Sequence, residues 1–174
     1  MIDIENNQYI AEDVGRMVYD ILTKNAIAVK VDLVTELVIE LVDNFSRHSG
    51  QQIGSCAMQL YPNANRLDFA IGDCGVGIRA SLARNPVYEQ LINASHQEAA
   101  VKAMEDGVTG GAEGGTGFGT VRDNVLELGG HMFLSTGDGW ILVEGATGGI
   151  QSGRMDSQLP GVQIEISLPV GALK

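Results

Sequence analysis

Apolar residues recur along the chain with two different periods, and the switches between them mark out its elements. Over 9 to 24, Ile10, Val14, Met17, Val18, Ile21 and Leu22 fall at helical spacing, which predicts an amphipathic helix ending near Lys24-Asn25. A second helix follows over 28 to 48, where Leu33, Val34, Leu37, Val38, Leu41, Val42 and Phe45 form a wide stripe. After Ser49-Gly50 the period drops to two. That predicts a hairpin of strands at 53 to 61 and 66 to 72, turned by Pro62-Asn63-Ala64-Asn65. Residues 79 to 105 read as helical pieces broken at Asn85-Pro86, and 107 to 119 shows no apolar period. A third long helix is expected over 120 to 128, stopped by Gly129-Gly130. Two strands, 131 to 136 and 140 to 145, then turn around Gly137-Asp138-Gly139. A loop is expected over about 147 to 161. The chain closes with Val162, Ile164, Ile166 and Leu168 alternating with Gln163, Glu165 and Ser167, a strand with one buried face.

This order predicts an α+β fold, a two-layer α/β sandwich whose mixed, mostly antiparallel sheet carries helices on one face. The 174 residues fit one domain, with an N-terminal helix region at 1 to 27 and a core at 28 to 174. Eleven Lys and Arg against twenty-two Asp and Glu give a net charge of −11, which repels nucleic-acid backbones and anionic bilayers. No apolar run approaches the ~20 residues of a membrane span. With two cysteines and no basic, apolar leader at the start, the expected setting is reduced and cytoplasmic. Cys74 reads as a small pocket filler and Cys56 as core.

Glycine is informative through its distribution, because the 23 of them cluster rather than repeat. Three clusters of residues carry candidate chemistry. Glu40, Asn44 and His48 lie four apart and share one helix face. With Leu33 set at zero, Asn44 projects at about 20°, between Leu33 and Leu37, so an amide points at the apolar edge and needs a partner. Next, the strand ending in Ile71-Gly72 runs into Asp73-Cys74-Gly75-Val76-Gly77. There a carboxylate can accept from the exocyclic amine of a base, and glycines permit a tight turn beside a flat ring. Taken alone, that pattern is also an ordinary turn. Finally, Gly114-Gly115-Thr116-Gly117-Phe118-Gly119 enters a helix, presenting free N–H groups to phosphate oxygens. No Lys follows the last glycine, so it is not a Walker A loop.

In this order and spacing the chain resembles the GHKL superfamily, the gyrase, heat-shock chaperone and histidine-kinase type of ATP-binding domain. Glu40-Leu-Val-Asp-Asn44-Phe-Ser-Arg-His48 is similar to its N box, Asp73-Cys-Gly75-Val-Gly77 to its first glycine box, and Gly115-Thr116-Gly117-Phe118-Gly119 to its second. The resemblance implies a Bergerat-type fold with ATP and Mg²⁺ as cofactors. It assigns Asn44 to Mg²⁺ and Asp73 to the adenine amino group, with Gly75 and Gly77 shaping the base pocket. Gly115, Thr116, Gly117, Phe118 and Gly119 would line the phosphates, and 107 to 119 would be a mobile ATP lid.

Glu40 would be the catalytic base, as in the anti-sigma serine kinases, and His48 stands where those kinases often carry His or Lys. Two positions depart from the pattern. Gly161-Val162 replaces the usual Gly-Thr, leaving Ser135 or Thr136 to supply a hydroxyl near Asp73, and Phe118 replaces a usual Leu. The implied function is a regulatory protein serine kinase or ATPase acting in signalling on a protein partner, anti-sigma-antagonist-like or response-regulator-like, with room for a homodimer. The alternatives are the ATPase module of a two-component histidine kinase, or a non-catalytic ATP sensor.

Overall fold

The computed structural model describes residues 1–25, 30–110 and 117–170. The helix α1 (Ile10–Lys24) turns Val14, Val18 and Leu22 inward, and α2 (Val31–His48) buries Val34, Leu37, Val38, Leu41, Val42 and Phe45, as the spacing predicts. Both carry acids in the first turn and bases in the last, which suits the helix dipole. Residues 28 and 29 of the predicted second helix lie outside the described residues.

Five strands form one sheet: β1 (Ile2–Glu5), β2 (Ile53–Tyr61), β3 (Arg66–Gly72), β4 (His131–Glu144) and β5 (Gly149–Pro169), in the order β1-β2-β3-β5-β4. Every pairing is antiparallel. The remaining helices are α3 (Gly77–Leu82), α4 (His96–Ala103) and α5 (Gly117–Glu127). A 3-10 stretch at Pro86–Asn93 marks the predicted break. The fold is thus the predicted two-layer α/β sandwich. Leu22, Leu37 and Leu41 of the helices share one core with Leu67, Met132, Leu134 and Ile166 of the sheet. Asp68, Phe133, Glu165 and Ser167 alternate outward on the other face. No described helix is long and apolar enough to cross a membrane.

Three local expectations need correction. The strand β1 was not expected, because four residues hold only two turns of an alternating pattern, Ile2 exposed and Ile4 buried. Gly137-Asp138-Gly139 is not a hairpin turn: β4 runs through it as an irregular bulge. Its glycines are needed because α4 presses on them. A Cβ on Gly137 would lie 1.8 Å from His96 Nδ1, and one on Gly139 would lie 2.5 Å from the Gln97 nitrogen. Asp138 in this bulge is buried and bonds both His96 Nδ1, at 3.0 Å, and Arg154. Bonding to Arg154 holds its carboxyl below the usual carboxylate range.

The third correction concerns the loop expected over 147 to 161, which is instead the first half of β5; the hairpin turns at 145 to 148. That half is exposed on most positions, so no buried face imposed an apolar period on it. Its pairing with β4 is covered on one side by Trp140, whose ring lies where a Gly153 side chain would be and stacks on Phe133 at 6.2 Å.

Candidate functional site

The end of α2, the turn after β3, α3 and the segment 108 to 110 surround a cleft with about 630 Å³ of empty space, its open mouth included. Leu41, Phe45, Ile71, Ile78, Val108, Phe118 and Ile164 make its walls mostly apolar. Polar groups are few there, so the state of each one matters.

Asn44 enters the cleft from α2, next to Leu41 and Phe45. Its Nδ2 is buried and has no hydrogen-bond partner among the described residues. An unpaired buried amide costs roughly 1–3 kcal/mol, and a half-turn of the side-chain amide would put oxygen at the same place. The side chain can therefore offer either a donor or a metal ligand to something entering the cleft. Among the described residues no group of His, Cys, Asp and Glu could hold a metal ion alone. A divalent ion at Asn44 would need most of its ligands from its companion, as Mg²⁺ on phosphates does.

Asp73 stands at the floor, 8% exposed, where β3 leaves the sheet. Its Oδ1 accepts the Gly75 N–H at 2.7 Å. Burial pushes its carboxyl above the usual carboxylate range, against the pull of the Gly75 and Val162 backbone N–H groups. Such a carboxylate gains from a ligand that brings a donor.

The glycines beside it are fixed by packing. A Cβ on Gly75 would sit 2.1 Å from the Ser49 carbonyl oxygen, and one on Gly161, at φ +70, would sit 2.1 Å from the Asp73 carbonyl oxygen. Gly77, at φ +74, faces Thr136 Oγ1 and lines the cleft, whereas Gly75 does not. The Thr136 hydroxyl considered above accepts the Ile78 N–H at 3.1 Å, which engages its oxygen at the start of α3.

No known family model matches the chain, and no curated protein does either.

His48 lies on the cleft wall, one turn after Asn44. Burial lowers its pKa below 6.5, and Arg47 and Arg84 lower it further, against Asp43. Burial thus favours the neutral imidazole, which is suited to exchanging hydrogen bonds rather than holding charge. An imidazole with a depressed folded-state pKa leaves the unfolded chain binding more protons. Stability from this group is therefore complete above the ordinary histidine value and is lost as pH falls from there through the lowered folded-state pKa. Titration of its ring by NMR is expected to show a midpoint below that of a free histidine, and a midpoint at or above it would contradict the burial seen here.

Glu40, one turn before Asn44, is half-buried, has a polar interaction of its own and does not line the cleft. Of the second glycine box, Gly117 and Phe118 line the cleft, while Gly119 packs on Glu105 and Asp106. Gly115 and Thr116 lie outside the described residues, as does the central part, 111 to 116, of the expected lid. Cys74 is exposed and fills no pocket, because its side chain leaves the turn on the solvent side; Cys56 is buried as expected.

Several contributors carry no sequence signal. Gln163 Nε2 donates to the carbonyls of Asp73, at 2.6 Å, and Pro160, tying β5 to the floor. Asn85 Nδ2 donates to the Thr109 carbonyl, and Arg122 bonds the Met104 carbonyl and Asp106. These bonds hold the start of the glycine-rich stretch against α3 and α5. Ser81 of α3 also lines the cleft.

Proposed function

We propose that the cleft binds ATP with Mg²⁺ and that the chain is a GHKL-type domain acting on a protein partner as a regulatory serine kinase or ATPase in the cytoplasm. The observation that carries this reading is the unpartnered, buried amide of Asn44 in an apolar cleft whose floor is the buried carboxylate of Asp73. An apolar slot suits the faces of a purine, and a carboxylate at its base suits the purine's amino group. The orphaned amide, one turn from His48, suits a Mg²⁺–phosphate pair through its oxygen. Bound Mg²⁺ would neutralise phosphate charge, which matters in a chain of net charge −11.

In this reading Asp73 orients the base, and Ile78, Val108 and Phe118 exclude water from it. Glu40 accepts the proton of the attacking hydroxyl or water. Its half-buried place beside Asn44, off the cleft wall, asks for a side-chain rotation as nucleotide and partner bind.

Calorimetry with ATP in the presence of Mg²⁺ or a chelator tests the reading. Asp73→Asn keeps an acceptor for Gly75 but turns a donor toward the base, and is expected to lose about 1.5–3 kcal/mol of ATP affinity, or about 10- to 150-fold. Equal affinity in both proteins would remove Asp73 from the role. Glu40→Ala is expected to bind ATP as the parent does and to slow turnover by ~10² to 10⁴. A parent with no hydrolysis and no transfer to any partner would leave the sensor function.

A further inference from the structure

Resting on the nucleotide reading above, we propose that Ser81 reads the sugar of the bound nucleotide and makes the cleft select ribonucleotides over deoxyribonucleotides. On α3, Ile78, Ser81 and Leu82 share the buried face, so serine stands where an apolar residue would suit both the helix and the wall. It is 7% exposed and lines the cleft. Its hydroxyl makes no hydrogen bond to another described residue, nor does it bond back to the carbonyl four residues earlier, as Thr23 and Thr35 do on their helices. With no partner among the described residues, the hydroxyl opens onto the cleft, free to exchange its water for a polar group of whatever binds there.

Its neighbours say which part of a nucleotide that is. One turn earlier, Gly77 packs beside the Gly161 carbonyl, and Gly161 packs on Asp73, at the base end. On the other side Gly110 comes so close that a Cβ there would be 2.9 Å from Ser81 Oγ. Gly110 belongs to the stretch that leads to the second glycine box, at the phosphate end. Ser81 thus stands between the end that holds the base and the loop assigned to the phosphates. The polar groups of a nucleotide between those two are the sugar hydroxyls.

The test compares ATP, 2′-deoxy-ATP and 3′-deoxy-ATP by calorimetry with Mg²⁺, on the parent and Ser81→Ala. The parent is expected to bind ATP about fivefold more tightly than one of the deoxy analogues, the worth of one neutral hydrogen bond. Ser81→Ala is expected to bind ATP and that analogue equally. A ratio of affinities measured on one preparation does not depend on how much of it is folded, so loss of stability cannot imitate the result. A parent with no preference among the three ligands, or a variant that keeps the preference, overturns the assignment to the sugar while leaving the nucleotide site standing. A parent that binds none of the three overturns both.

Discussion

Asn44→Leu is expected to make the ligand-free domain more stable and, at the same time, blind to ATP and Mg²⁺. The amide is close to leucine in size and sits on α2 beside Leu41 and Phe45, with its Nδ2 buried and unpaired. Replacing it removes a desolvation penalty of roughly 1–3 kcal/mol and adds apolar contact with the cleft wall. Leucine also favours the helix interior by a few tenths of a kcal/mol over asparagine. For a chain of this length each kcal/mol moves the melting temperature by about 2–4 °C, so Tm should rise by several degrees. ATP with Mg²⁺ is expected to raise the Tm of the parent by mass action and to leave that of the variant unmoved. Two scans, with and without nucleotide, read both effects. A variant less stable than the parent would mean that the amide is satisfied in solution, and a retained shift with nucleotide would remove Asn44 from the ligand. The combination of gained stability and lost binding is the mark of a residue kept for function.

The helices and the central hairpin were legible because each has one buried face long enough to impose its period. In α2 the seven apolar positions and the projected direction of Asn44 come from the same arithmetic, and the amide does reach an apolar cleft. Legibility failed where burial did not impose a period. The strand β1 is too short to show one, and the first half of β5 is exposed on most positions, so its sequence Gly-Ile-Gln-Ser-Gly-Arg reads as loop while backbone pairing makes it strand. Glycine misled for a different reason. At 137 and 139 it answers the approach of His96 and Gln97 of α4, which lie far from it along the chain, and a local reading sees only turn chemistry.

The same limit applies to the cleft. Asp73 and Asn44 were visible because a carboxylate at a strand end and an amide on an apolar stripe are locally out of place. The serine of α3 was not, since only the fold shows that its face closes the cleft. Gln163 lies opposite Gly72 in the β3–β5 pairing, and its bond to the Asp73 carbonyl spans 90 residues of chain.

Gly75→Ala separates the two meanings of glycine in the first box, and a loss of about 2–4 kcal/mol in stability is expected, or a fall in Tm of roughly 5–15 °C. The added Cβ would lie 2.1 Å from the Ser49 carbonyl oxygen and 2.8 Å from Asp73 Oδ1. Neither can yield cheaply. The Ser49 carbonyl accepts the Val76 N–H at 3.0 Å, and the Asp73 oxygen accepts the Gly75 N–H. Relief requires the end of α2 to move off the turn after β3 by about an ångström, in a region packed without slack. Because α2 carries Asn44 and His48, that shift should also weaken ATP binding, although Gly75 itself does not line the cleft. Cys74→Ala is the control: the thiol next door is exposed, and its loss should change stability by less than about 0.5 kcal/mol. Thermal melting and calorimetry on both variants decide the matter. Should Gly75→Ala melt with the parent yet fail to bind ATP, the glycine would be serving the ligand and not the seam between α2 and the turn.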